Sequence, residues 1–168
     1  MKSHTVFLFQ DCNGKYIRIY AFEPDNHSYQ YIVSVLERRT IHNVEVVNKG
    51  CWYEATTLGF SCNTDTRGTS VIDTQGSDVV EVTAIDDAVG GDALTFIKMD
   101  IEGAELEALH GAVETIKKYK PRLAISVYHK PSDIVDIPAY ILSLVPEYKL
   151  YIRQYSYFLG ETVLYAVL

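Results

Sequence analysis

The chain has 168 residues, 48% hydrophobic and 22% charged, which is the length and balance of one globular domain of average size. Its 15 Lys and Arg against 22 Asp and Glu give a formal charge of -7 with the basic residues scattered, which argues against nucleic-acid and anionic-membrane partners. Cys12, Cys51 and Cys62 form no C-x-x-C pair, no apolar run approaches the roughly 20 residues that span a bilayer, and no secretion signal follows the start, so reduced thiols in a soluble cytoplasmic protein are expected.

Ile17 to Phe22 is a compact run of β-branched and aromatic residues closed by Glu23-Pro24-Asp25, a buried strand that ends in acids because proline cannot continue the ladder. From Asn26 or His27 onward, Tyr29, Ile32, Val33 and Leu36 recur at helical spacing and predict a helix to about Arg39. Val44 to Val47 is the next short strand, so Ile17 to Val47 reads as a strand-helix-strand crossover of a parallel sheet. Thr56 to Ser61, Ser70 to Thr74 and Val79 to Val82 are short β-like pieces separated by glycines, which predicts a small insertion of antiparallel hairpins between Trp52 and Val82.

Thr95 to Met99 is a strand ending at Asp100, and Gly103 leads into a predicted helix with Leu106, Leu109, Ala112, Val113 and Ile116 on one face. Lys117, Lys118 and Lys120 suit the end of its dipole, and Pro121 stops it. Leu123 to Val127 predicts a buried strand, Ile134 to Leu144 a helix, and Tyr148 to Ile152 with Val163 to Val167 a terminal antiparallel pair. The expected fold class is α/β: a Rossmann-like, doubly wound and mostly parallel sheet with a C-terminal antiparallel β hairpin and a small β-hairpin insertion, in one domain over 1–168.

Ligands of such a sheet bind outside the carboxyl ends of the strands, and three ends here carry polar groups. Glu23 stands where a carboxylate accepts two hydrogen bonds from a ribose diol, although it could equally cap the helix after Pro24. Asp100, Glu102 and Glu105 fall within six residues where strand gives way to helix, which fits either a charged helix cap or a clamp for a cofactor or substrate. His129, after the next strand, has an ordinary pKa near 6.5 and suits removal of a hydroxyl proton, or is a surface histidine in a loop. Asp86 and Asp87, before a Gly-Gly loop, read as solvated turn residues. A divalent metal on Asp100 and Glu102 lacks a visible third ligand, so no metal is expected.

Tyr20-Ala21-Phe22-Glu23-Pro24-Asp25, the stretch from Phe96 to Glu105 (FIKMDIEGAE), Leu109-His110-Gly111-Ala112, Lys120-Pro121 and His129-Lys130-Pro131 together resemble the FkbM family of methyltransferases, a branch of the class I Rossmann-like fold. The resemblance runs from about Tyr16 to the C-terminus. It implies methyl transfer from S-adenosylmethionine to a hydroxyl oxygen of a small molecule. On that reading Glu23, Asp100 and Glu102 bind the cofactor, and His129 and Asp100 serve the chemistry.

The chain departs from the family pattern in one respect: no strand and Asp-x-Gly-x-x-Gly-type loop precedes Glu23. Asp11 to Lys15 is too short to hold a crossover helix, so Val6 to Phe9 does not act as the first parallel strand. Ser3 to Gln10 therefore reads as the remnant of the first helix, in a domain truncated at its N-terminus. A sheet without its central strand would leave edges uncovered, which predicts a homo-oligomer. The competing expectations are a non-catalytic binding or assembly module, and a dinucleotide-dependent oxidoreductase, which would need a G-x-G-x-x-G turn that is equally absent.

Overall fold

The computed structural model describes residues 16–63, 69–72, 78–157 and 160–168, with the backbone alone at 60–63, 69–72 and 78. The expected helix remnant at Ser3 to Gln10 lies outside them.

The first strand, β1 (Ile19–Phe22), runs into α1 (Asn26–Arg38) and returns as β2 (Val44–Val47). The two strands pair in parallel with Ala21 opposite Val46, as the apolar pattern requires of a crossover unit. Asp25 caps α1 by accepting a hydrogen bond from the Ser28 N–H at 2.8 Å, and Ile32, Val35 and Leu36 form the buried face.

A four-stranded sheet follows, built from β3 (Gly50–Cys51), β4 (Thr56–Asn63), β5 (Thr69–Ile72) and β6 (Asp78–Thr83) in the order β3-β6-β4-β5. β4 pairs antiparallel with both β5 and β6, which is the expected hairpin insertion. The two-residue β3, absent from the sequence reading, pairs parallel to β6.

Downstream come α2 (Ile85–Val89), β7 (Phe96–Met99), α3 (Glu105–His110), α4 (Val113–Tyr119), β8 (Arg122–Ser126), α5 (Asp133–Leu144), β9 (Lys149–Gln154) and β10 (Thr162–Val167). β7 and β8 are parallel, and β10 inserts antiparallel between β8 and β9, giving the order β7-β8-β10-β9. The chain is thus a mixed α/β domain with the terminal antiparallel pair expected. Its parallel ladders are β1–β2, β3–β6 and β7–β8, and no ladder joins β1 to β7 among the described residues. Side chains bridge the two instead: the Tyr20 hydroxyl donates to Asp92 Oδ2 at 2.7 Å, and Tyr20 and Phe22 pack on the main core.

That core lies between the β7–β10 sheet and its helices, with Leu109, Ile116, Leu123, Ile125, Ile137 and Ile141 fully enclosed. Burying one such side chain stabilises the fold by about 1.5–3 kcal/mol, which is why short strands of four or five residues hold here.

The structure corrects two expectations. The single helix after Gly103 is two, broken at Gly111 and Ala112. A Cβ at Gly111 would stand 2.0 Å from the Trp52 carbonyl oxygen and 3.1 Å from Ala84 Cα, so the chain bends where the insertion packs directly on its backbone. Apolar periodicity carries no trace of that contact. Asp86 and Asp87 lie in the first turn of α2 rather than in a loop; Asp87 is exposed as expected, while Asp86 is not simply solvated. Asp86 accepts hydrogen bonds from the backbone N–H groups of Glu114 and Thr115, both at 2.9 Å, and so caps the broken helix at α4.

Candidate functional site

The site is built at the carboxyl ends of β7 and β8. Strand β7 alternates exposed and buried residues and delivers Asp100 just past its end, while β8 continues through Val127 to Tyr128 and His129. Because the two strands are parallel and adjacent, residues 28 and 29 positions further along the chain arrive beside Asp100.

Asp100 Oδ1 accepts hydrogen bonds from the Ser126 hydroxyl at 2.9 Å and the Tyr128 hydroxyl at 3.0 Å, and Lys98 Nζ lies 3.9 Å from Oδ2. Burial alone would raise the Asp100 pKa, but those two hydrogen bonds and the charges of Lys98 and His129 outweigh it, so the carboxyl is held below its ordinary value. Tyr128 shifts the other way: burial and the neighbouring negative charges hold its hydroxyl protonated well above the ordinary tyrosine range.

Between β7 and α3 the chain folds back sharply. Glu102 and Gly103 both adopt left-handed backbone, with φ of 59° and 96°. At Gly103 the positive φ is what favours glycine; an added Cβ would stand 3.2 Å from Cε of the flexible Lys130 side chain, which can shift. This turn brings Glu105 underneath its own loop. Glu105 is completely buried, and its two oxygens accept the backbone N–H groups of Ile101 at 2.8 Å and Gly103 at 2.9 Å. The acids therefore do not simply cap the helix, because Glu105 satisfies the loop that precedes it.

His129 sits among these carboxylates, its side chain only 9% exposed, so the surface-histidine alternative does not hold. Nδ1 stands 2.9 Å from Glu105 Oε1, while Nε2 faces Glu102 Oε2 at 3.4 Å and Asp100 Oδ1 at 3.8 Å. The approach to Glu105 is oblique, and neither ring nitrogen makes an aligned hydrogen bond. Burial lowers the His129 pKa, but contact with Glu105 and the charges of Glu105, Glu102 and Asp100 more than reverse this, so the net shift is upward. Three carboxylates around one imidazole favour its charged form.

Glu23 lies apart from this cluster in sequence, at the carboxyl end of β1. It is 5% exposed, its N–H donates to the Val47 carbonyl oxygen at 3.0 Å, and its Oε1 accepts from the Asp25 N–H at 3.1 Å. The helix cap is Asp25, so the alternative role for Glu23 falls away. The Asp25 N–H orients this carboxylate, which as an acceptor matches the two hydroxyl donors of a ribose diol.

The structure thus brings together Asp100, Glu102 and His129 of the residues expected from the sequence. Sequence reasoning missed Glu105 as the buried centre of the cluster, and Tyr128 and Ser126 as its hydroxyl donors. The available signal was the spacing of Glu105 from Gly103 across a tight turn.

A family model described as the Methyltransferase FkbM domain matches residues 2–159. The crystal structure of Methyltransferase FkbM from Methylobacillus flagellatus KT superposes with a TM-score of 0.79 at 34% identity, covering 99% of this chain and 40% of that one. The chain therefore spans about 40% of the length of that relative. An rRNA methylase from Streptococcus thermophilus superposes with a TM-score of 0.56 at 16% identity over 98% of this chain and 78% of that one, a likeness of fold alone. No curated protein matches the chain.

Proposed function

Because the chain belongs to the FkbM methyltransferase domain family, we propose that it serves methyl transfer from S-adenosylmethionine to a hydroxyl oxygen of a small molecule. The observation that carries this reading is the convergence of Asp100, Glu102 and His129 at the carboxyl ends of adjacent parallel strands, with Glu23 at the carboxyl end of β1 in the parallel β1–β2 pair. When bound, the cofactor supplies an electrophilic methyl group on a sulfonium. Glu23 holds the ribose hydroxyls through its oriented carboxylate. Asp100 and Glu102 present negative charge to the cofactor's ammonium end or to the acceptor, and Asp100 is kept ionised by Ser126, Tyr128 and Lys98.

The acceptor hydroxyl must lose its proton as the new bond forms. Nδ1 of His129 faces the Glu105 carboxylate and so carries a proton, which leaves Nε2, on the side of Glu102 and Asp100, as the nitrogen that can accept one. His129 in its neutral form takes the proton, and because its neighbours raise its pKa that form grows as pH rises; Glu105 stands behind the ring at Nδ1.

The test is calorimetric titration of this 168-residue chain with S-adenosylhomocysteine. Micromolar binding that weakens at least about tenfold in Glu23→Ala is expected. Absence of binding would favour a non-catalytic binding module instead.

A further inference from the structure

The sequence offered a divalent cation two carboxylates and no third ligand; the fold supplies the third. We infer that the Asp100 and Glu102 carboxylates and Nε2 of His129 form a divalent-cation site of the Mn²⁺ or Mg²⁺ class, with Glu105 as the positioning residue behind the imidazole. Nε2 lies 3.4 Å from Glu102 Oε2 and 3.8 Å from Asp100 Oδ1. Atoms bound at about 2.0–2.2 Å to one ion stand roughly 3.0–4.2 Å apart, so both separations are those of ligands that share a cation. Among the described residues, Asp100, Glu105 and His129 form the group whose ligand atoms all lie within 4.8 Å of one another, and Glu102 joins it through its approach to Nε2; both Glu105 oxygens are already taken up by backbone N–H groups, which leaves Glu105 behind the ring.

A second observation, independent of the acidic cluster, points the same way. The His129 side chain is more than nine-tenths buried, and Nε2 is sealed from solvent without a hydrogen-bond partner while aimed at the two carboxylates. A buried polar atom left in that state costs about 1–3 kcal/mol unless something occupies it. The surroundings are those that metal sites use to orient their ligands. A buried carboxylate stands behind the histidine at Nδ1, and two hydroxyls, from Ser126 and Tyr128, hold the Asp100 carboxylate. Charge argues likewise: Asp100, Glu102 and Glu105 converge on a single imidazole, and the nearest ammonium, Lys98 Nζ, is 3.9 Å from Asp100.

Mixed oxygen and imidazole ligands suit Mn²⁺, and an open side of the coordination sphere would take an acceptor oxygen. This catalytic meaning rests on the methyl-transfer reading above and refines it. An acceptor hydroxyl on the ion would be more acidic and would pass its proton to water, so that His129 holds the ion in place of the base role given above. Binding of the ion itself does not depend on that reading.

The test is Mn²⁺ titration of the chelator-stripped 168-residue chain without cofactor, with the free aquo ion followed by electron paramagnetic resonance. One site tighter than about 1 mM is expected. Asp100→Asn, which can still accept from Ser126 and Tyr128, and His129→Ala should each weaken it at least about tenfold. Glu105→Gln should weaken it about 10–100-fold although it removes no ligand, and Glu37→Gln, on the exposed face of α1, should leave it unchanged. Circular dichroism identifies any variant that fails to fold, and Asp100→Asn and Glu105→Gln then carry the test. Absence of binding below about 1 mM, or unchanged affinity in Asp100→Asn or in His129→Ala, overturns the inference. S-adenosylhomocysteine titration in the presence of EDTA separates the two proposals: cofactor binding without Mn²⁺ binding removes the cation site alone, and Mn²⁺ binding without cofactor binding removes methyl transfer alone.

Discussion

Nδ1 of His129 lies 2.9 Å from Oε1 of Glu105, a carboxylate with no exposed surface whose oxygens also accept the Ile101 and Gly103 N–H groups. One buried acid therefore fixes both the turn that carries Glu102 and the ring that faces it.

Glu105→Gln tests this coupling through stability. The amide turns one acceptor into a donor, which must then face a backbone N–H or the imidazole. A loss of about 1–3 kcal/mol is expected, read as a lower urea midpoint with an unchanged m-value. Unchanged stability would show that the loop is held by other contacts.

Gly111→Ala should be severe for a single methyl group. The new Cβ would stand 2.0 Å from a backbone oxygen of Trp52, which cannot rotate away, so the insertion must separate from the α3–α4 corner. The cost of such overpacking is about 1–3 kcal/mol or more. Thermal denaturation should show a drop of several degrees, and a melting temperature equal to that of the parent chain would refute the close packing.

Asp86→Ala removes both acceptors at the start of α4, while Asp86→Asn keeps one. Loss of a helix cap costs about 0.5–2 kcal/mol, and the asparagine variant should recover part of it. Equal stability of the two variants would argue against capping across the chain.

Asp25 predicts a pH dependence. Burial raises its pKa, but hydrogen bonds from the Ser28 and His27 backbone outweigh this, so the folded value lies below the ordinary one. A depressed carboxyl contributes stability above its unfolded pKa of about 3.9, and this contribution is lost as pH falls through the folded pKa. The stability gap between the parent chain and Asp25→Ala should be constant near neutrality and shrink below about pH 4. A gap that does not change with pH would mean that the capping oxygen acts without its charge.

A membrane-spanning role finds no support in the helices: none among the described residues is long and apolar enough to cross a bilayer. The longest, α1, has 13 residues.

All strands but the two-residue β3, the longer helices and the hairpin insertion were legible in the sequence, because burial on one face imprints a period of 2 or 3.6 on the chain. FIKMDIEGAE likewise marked the place where β7 meets α3, since the acids and glycine of a sharp turn are local requirements. What the sequence could not contain were relationships between distant segments. The break at Gly111 comes from Trp52, 59 positions earlier, and the cap on α4 comes from Asp86, 28 positions before Glu114. The site followed the same rule. Asp100 and Glu102 were visible as acids near a strand end, but only the parallel register of β7 and β8 set His129 against them and buried Glu105 behind it. Pattern reports which side of an element is apolar; it carries no information about which polar groups meet across the fold, because that depends on register and crossover, which the chain acquires only on packing.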